Sequence, residues 1–286
     1  MAIDPPDASI IREAAHRALG EDRGPVDLTT QALIPPEKTG KARIFTKEEG
    51  ILCGTPIAVA VFRELDPRLS YRIAHEDGTH LTPGDTVMEI EGALASILTG
   101  ERSALNFLQQ LSGVATLTRS FVNAAGENTR ILDTRKTIPG LRALQKYAVR
   151  CGGGCNHRMG LYDAFMMKDN HVAFMAGHAG LADAVEAARA LDPDAPIIFE
   201  ADTLEQVKIL LGLRVDRILL DNMNCDDMRE AVRLSAGKIP LEASGNMTLE
   251  RIPEVASTGV DFISVGALTH SISSLDFSLE VKSGND

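Results

Sequence analysis

Four cysteines in 286 residues are too few to form a disulfide framework, so stability must come from an ordinary apolar core. No apolar run approaches the ~18 residues needed to cross a membrane. The stretch Met1-Ala2-Ile3-Asp4-Pro5-Pro6-Asp7 has neither the basic start nor the apolar run of a secretory signal, and the cytoplasm is the expected compartment. Positive charge is also in deficit: 29 Lys and Arg stand against 40 Asp and Glu, for a net charge of −11. That balance argues against nucleic acid or an acidic membrane as partner. Also missing are a Gly-x-x-x-x-Gly-Lys-Ser/Thr loop, a Gly-x-Gly-x-x-Gly turn opening a helix after a strand, and a Gly-x-Ser-x-Gly elbow. Their absence counts against nucleoside triphosphatase, dinucleotide-binding and serine-hydrolase chemistry. What remains is a protein of ordinary composition, 44% hydrophobic and 24% charged, long enough for one large domain or two medium ones.

The scarce positive charge is concentrated. Arg130, Arg135, Lys136, Arg142, Lys146, Arg150, Arg158 and Lys168 fall in one block that contains only Asp133 and Asp163 as acids. Arg142, Lys146 and Arg150 are spaced four apart and read as one solvated helix face. That reading leaves Arg135, Lys136, Arg158 and Lys168 to be explained.

The first part of the chain reads as mixed α and β. Ser9 to Leu19 has helical spacing and is expected to stop at Gly20. Strand-like pieces follow at Lys41–Thr46, Ile51–Cys53, Leu69–Ala74 and Asp85–Ile90, separated by turn signals such as Thr82-Pro83-Gly84-Asp85. A long helix is expected from about Gly100 to Ala124, with Leu105, Leu108, Leu111 and Val114 as its buried stripe. Arg102 would then sit in the first turn, where the helix dipole disfavours a cation, although Glu101 beside it can compensate.

From residue 130 onward, short apolar runs alternate with helical stretches. Nearly every run ends in a polar residue: Asp133, Lys168, Glu200, Asp221, Ser244-Gly245 and Gly266. Repeated β-then-α units imply a parallel sheet covered by helices. A barrel of such units carries its chemistry at the C-terminal ends of the strands, and a doubly wound open sheet does so too; the barrel is preferred here. Two carboxylates on neighbouring strand ends, Glu200 and Asp221, suit magnesium (Mg2+) shared with substrate phosphates. Arg135, Lys136 and Lys168 beside them suit a polyphosphate. Ser244-Gly245 and Gly266 resemble the late-strand phosphate sites of many barrels. The plain alternative is that each is an ordinary polar strand cap.

The loop Arg150-Cys151-Gly152-Gly153-Gly154-Cys155-Asn156-His157-Arg158 allows close backbone approach to a ligand, or is simply a helix C-cap and linker. A zinc site at Cys151, Cys155 and His157 lacks a fourth ligand nearby and departs from the usual spacing. His157 beside Arg158 suits a carboxylated heteroaromatic acid.

The run Asp133-Thr134-Arg135-Lys136-Thr137-Ile138-Pro139-Gly140-Leu141-Arg142 continues to the glycine loop, Asn156-His157-Arg158-Met159-Gly160-Leu161 and Lys168-Asp169-Asn170-His171. It resembles the signature of the quinolinate phosphoribosyltransferases. So do Asp27-Leu28-Thr29-Thr30, Gly100 to Asn106, Leu220-Asp221-Asn222-Met223, Leu241-Glu242-Ala243-Ser244-Gly245 and Ile263 to His270. The resemblance spans nearly the whole chain.

It implies an α/β protein with two parts: an N-terminal α/β sandwich domain (1–113) and an incomplete α/β barrel (114–270). The tail 271–286 would pack on the former. The implied reaction transfers phosphoribosyl from phosphoribosyl pyrophosphate (PRPP) to quinolinate with decarboxylation, giving nicotinate mononucleotide, pyrophosphate and CO2. The implied assembly is a homodimer, or a hexamer built from it, with active sites completed across the interface. By matched position, Arg135, His157, Arg158 and Lys168 would hold the quinolinate carboxylates, with Arg102 reaching in from the partner subunit. Lys136 would help bind PRPP phosphates, and Thr134 is among the implied substrate-binding residues. Glu200 and Asp221 would address the ribose and Mg2+, and Lys136, Lys168, Glu200 and Asp221 form the implied catalytic set. Ser244, Gly245 and Asn246, with Val265, Gly266 and Ala267, would bind the terminal phosphate. The family commonly has a second glutamate where this chain has Ile198, on the same strand face as Glu200; metal handling or a salt link to a lysine would change. Three alternatives stay open: a molybdenum-transport-associated paralogue with another substrate, a lyase using Lys168 as a Schiff base, and a non-catalytic phosphosugar-binding protein.

Overall fold

The computed structural model describes residues 3–168, 171 and 180–282. The chain divides into two compact units: residues 1–119, 138–153 and 271–286, and residues 120–137 and 154–270.

The first unit holds α1 (Ala8–Arg23), α2 (Leu28–Leu33), β1 (Thr39–Thr46), β2 (Gly50–Ile51), α3 (Thr55–Leu65), β3 (Ser70–Ile73), β4 (His80–Leu81) and β5 (Thr86–Ala93). It also holds most of α4 (Leu94–Ala125), α5 (Arg142–Cys151) and β12 (Phe277–Lys282). Helix α1 begins where the Asp7 side chain accepts from Ser9 N (2.7 Å) and buries Ile11, Ala14, Ala15 and Leu19 on one stripe. It does not stop at Gly20 as its sequence suggests but runs to Arg23, with Gly24 at φ 55 beyond it. A lone glycine costs only about 1 kcal/mol in a helix interior, and the left-handed residue sits one turn later. The sheet is antiparallel, in the order β12-β1-β5-β3, with β12 placing Lys282 opposite Lys41.

Two sequence expectations need correction here. Helix α4 starts at Leu94, not near Gly100, so Arg102 lies in its third turn, where the N-terminal dipole has faded. The argument against a cation there therefore lapses; the side chain is exposed. Lys146 does not share a solvated face with Arg142 and Arg150. It is 1% exposed, within a run from Leu144 to Val149 that is buried throughout. Four-residue spacing puts side chains on one face without saying that the face is wet. The glycines after α5 include a packing device: a Cβ on Gly152 would meet Ala115 O at 2.4 Å, so helix and loop approach at backbone distance.

The second unit holds β6 (Arg130–Leu132), β7 (Phe165–Met167), α6 (Leu181–Leu191), β8 (Ile197–Ala201), α7 (Leu204–Leu210), β9 (Arg217–Asp221) and α8 (Cys225–Ser235). It ends with β10 (Leu241–Ser244), α9 (Ile252–Ala256), β11 (Phe262–Ser264) and α10 (Ala267–His270). Its strands form one parallel six-stranded sheet, ordered β6-β11-β10-β9-β8-β7. Apart from β6 closing onto β11, each strand lies beside its sequence neighbour. The winding never reverses as it does in a doubly wound sheet, and this is the incomplete barrel. Strands β8, β9 and β10 are buried on both faces, as parallel strands under helices are. Register pairs Asp221 with Ser244 and Leu219 with Glu242, which brings the polar strand ends to one level.

Candidate active site

A cavity of about 540 Å³ opens at the C-terminal ends of these strands, built entirely from the second unit. Most of the residues singled out in the sequence line it: Thr134, Arg135, Lys136, His157, Arg158, Lys168, Glu200, Asp221, Ser244, Gly245, Asn246 and Gly266. Val265 and Ala267 do not. Val265 is 1% exposed and its N–H donates to Leu132 O (2.9 Å), so that amide is not free for an anion. Ala267 opens α10. Arg102 lies in the first unit. Asp169 and Asn170 fall outside the described residues.

The cationic side is assembled by turns. Asp133, fully buried past β6, accepts from His157 N (2.8 Å) and Asn156 Nδ2 (2.6 Å), fixing the turn that presents His157 and Arg158. Asp163 closes the following turn by accepting from Met159 N and Gly160 N. Burial, and then the charge of Arg135, push the Arg158 guanidinium below its ordinary range, with Asp163 opposing. Two guanidinium groups that repel each other at a cavity wall make a place for a bidentate anion. Thr134 Oγ1 accepts from Lys136 N (3.0 Å), and Thr269 Oγ1 donates to Lys136 O (2.7 Å), so Lys136 is held by its backbone while its side chain stays exposed.

The acidic side lies across β7 to β9. Lys168 Nζ contacts Glu200 Oε2 at 2.5 Å. Carboxylate oxygens of Glu200, Asp202 and Asp221 lie within 4.8 Å of one another, an all-oxygen set that fits a hard divalent cation. Asp202, which sequence reasoning passed over, is exposed just beyond β8. Asn222 was also missed: it sits at φ 52, and its Nδ2 donates to Asp221 Oδ2 (2.8 Å). A Cβ on Gly245, itself at φ +101, would fall 2.1 Å from Asn222 Oδ1, so Gly245 and Asn222 interlock.

Glu242 is the third residue missed, and it did leave a signal. It is an acid inside the apolar run Ile239-Pro240-Leu241-Glu242-Ala243, and a charge in such a run is either exposed or deliberately paired. It is 0% exposed and its Oε2 accepts from Arg217 Nη1 (2.8 Å). Burial, the largest influence, raises its carboxyl, but His157 and Arg217 beside it outweigh burial and hold the group below its usual range. Ile198 is buried on β8 and stands opposite Arg217 in register. Among the described residues, Cys151, Cys155 and His157 do not gather as a zinc site.

Residues 27–112 match the quinolinate phosphoribosyl transferase N-terminal domain, and residues 114–280 match the C-terminal domain of the same family. The chain is 42% identical to the nicotinate-nucleotide pyrophosphorylase [carboxylating] of Mycobacterium leprae, over 94% of this chain and 96% of that one. It is 43% identical to a probable enzyme of the same name from Bacillus subtilis, over 93% and 91%. Among solved structures, the nicotinate-nucleotide pyrophosphorylase of Francisella tularensis superposes with a TM-score of 0.93 at 40% identity, covering 99% of both chains. With both domain models matched in order and relatives this similar from end to end, the chain belongs to the quinolinate phosphoribosyl transferase family.

Proposed function

We propose that the cavity transfers phosphoribosyl from PRPP to quinolinate and releases CO2, forming nicotinate mononucleotide and pyrophosphate for NAD synthesis. The observation that carries this reading is the arrangement of opposite charges on one set of strand ends. Arg135 and Arg158 line one cavity within reach of each other's charge, in the same cavity as the Lys168–Glu200 pair and near the Asp202–Asp221 carboxylates. One side is made for a dianionic acid, and the other for a phosphorylated sugar.

In this reading Arg135, His157, Arg158 and Lys168 hold the two carboxylates of quinolinate and aim its ring nitrogen at the ribose. Lys136 binds phosphate oxygens of PRPP, while Ser244, Gly245, Asn246 and Gly266 take its terminal phosphate. Glu200 and Asp221, joined by Asp202, are the residues that would hold Mg2+, which when bound supplies charge neutralisation to the pyrophosphate leaving group. Catalysis is mostly positioning and electrostatic stabilisation of a sugar that gains positive character at C1. The glycosylated ring then carries a positive nitrogen beside the carboxylate that leaves; as CO2 departs, that nitrogen stabilises the electron pair left on the ring carbon, which takes up a proton from solvent. Arg102 enters from the partner subunit of a homodimer, the assembly being that dimer or a hexamer built from it. A cytoplasmic location is part of the same reading; no helix among the described residues is long and apolar enough to cross a membrane.

The test is an assay of the purified protein with Mg2+, PRPP and quinolinate, following CO2 and nicotinate mononucleotide, with nicotinate replacing quinolinate in parallel. Product from quinolinate and none from nicotinate is expected. No product from either acid, with PRPP still bound, would overturn the assignment in favour of a paralogue with another acceptor. The Schiff-base alternative predicts borohydride trapping at Lys168, which its contact with Glu200 opposes.

A further inference from the structure

Glu242 is fully buried in β10, one of the deepest acids in the molecule, yet it lines the cavity. A buried carboxylate is costly unless it is paired and hydrogen-bonded, and this one is engaged through a single oxygen. Oε2 accepts from Arg217 Nη1 and lies 3.4 Å from His157 Nε2, within ion-pair range but outside hydrogen-bond geometry, while Oε1 has no hydrogen-bond partner among the described residues. The Arg217 guanidinium lies over the Phe262 ring, 4.1 Å from its centroid. Its register partner on β8 is the uncharged Ile198, so the charge of Arg217 is directed to Glu242.

His157 completes the chain of contacts. Its ring is 7% exposed, and Nδ1 accepts the Arg158 backbone N–H at 2.7 Å. A nitrogen that accepts carries the lone pair, so in the neutral ring the proton sits on Nε2, the atom facing Glu242. The turn is thus clamped twice: Asp133 holds its backbone, and Glu242 faces its ring. Arg158 is tied to that ring through its own amide.

We infer that Glu242, with Arg217 as its counter-charge, is a positioning residue for the heteroaromatic acid. It fixes the tautomer and plane of the His157 ring, and through the Nδ1 to Arg158 N–H bond it sets the aim of Arg158, with no part in holding the phosphoribosyl donor. This rests on the assignment of quinolinate as acceptor given above.

The test compares wild type, E242M and E242Q. Methionine keeps the bulk and removes both contacts. Glutamine can place its carbonyl oxygen where Oε2 stands and keep both without the charge. In E242M the quinolinate KM is expected to rise roughly ten-fold or more, as expected for loss of a buried charged contact, while the PRPP KM stays within about two-fold. E242Q is expected to recover the quinolinate KM to within about three-fold of wild type. In parallel, 15N spectra of the ligand-free protein, with the His157 signals assigned by their loss in H157Q, are expected to show the lone pair on Nδ1 in wild type and a tautomer mixture in E242M. The inference is overturned by equal rises in both KM values, by an unchanged quinolinate KM in E242M, by an E242Q as impaired as E242M, or by a wild-type ring protonated on Nδ1. If wild type does not turn over quinolinate, the functional assignment fails, and the spectra still decide whether Glu242 controls His157. If E242M does not fold, E242Q and the wild-type spectrum decide it.

Discussion

Arg135 and Arg158 line the same cavity, and the charge of Arg135 helps push the Arg158 guanidinium below its ordinary range; in the proposed reading a dianionic acid offsets that repulsion. Arg135→Ala is therefore expected to cost on the order of 10²-fold or more in kcat/KM for quinolinate, measured by steady-state kinetics. Near-normal turnover would remove Arg135 from the site. Gly245 gives a second test of a different kind. Alanine there meets both a positive φ and the Asn222 side chain that holds Asp221. Gly245→Ala is expected to lose about 1–3 kcal/mol of stability from backbone strain and to raise the PRPP KM. Unchanged thermal unfolding and an unchanged PRPP KM would show that the interlock with Asn222 is dispensable.

Among the elements, α3 shows best how sequence and structure divide the information. Its N-cap is Gly54, which has no side chain to offer, and the cap comes from Asp77. Asp77 accepts from Gly54 N (2.8 Å), Thr55 N (3.2 Å) and the Tyr147 hydroxyl (2.9 Å), tying α3 to α5. Asp77→Ala is expected to lower stability by about 1–2 kcal/mol, the usual loss for a helix cap, measured as a shift in denaturation midpoint. An unshifted midpoint would mean that water caps the helix equally well. A cap supplied from so far along the chain leaves no local signal, and neither does the short strand β4, which exists only through its pairing with β2. By contrast, the apolar runs ending at Lys168, Glu200, Asp221, Ser244 and Gly266 announce both strand and site, because the parallel sheet buries the run and exposes its polar end. Glu242 and Asn222 were harder to read. Each stands beside the residue it touches without a motif of its own: Glu242 faces His157 only once the fold brings that loop against β10, and Asn222 holds Asp221 from the next position in the chain. Lys146 misled for a related reason, since helical spacing is blind to what covers a face.

For the whole molecule, the proposed sharing of active sites makes a prediction that no single variant can test. Arg102→Ala and Arg135→Ala should each be nearly inactive alone. If Arg102 acts on the partner subunit's cavity, a mixture of the two after subunit exchange should regain activity, approaching about a quarter of wild type for random pairing in a symmetric dimer. Each mixed dimer then contains one intact site and one doubly damaged site. No recovery after verified exchange would place Arg102 and Arg135 in the same subunit's site or remove Arg102 from it.

The pairing of β12 with β1 has a consequence for synthesis. Strand β1 leaves the ribosome before every strand of the parallel sheet, whereas the strand that covers its edge leaves after all of them. Until then that edge of β1 presents unpaired backbone groups, the feature that invites wrong pairing between nascent chains. In the parallel sheet β6 also waits, for β11, but over a shorter stretch of chain, and the strands from β7 to β11 pair in the order in which they emerge. Chaperones meeting this chain during its synthesis should thus bind the N-terminal sheet in preference to the barrel, and release it only when residues 277–282 arrive.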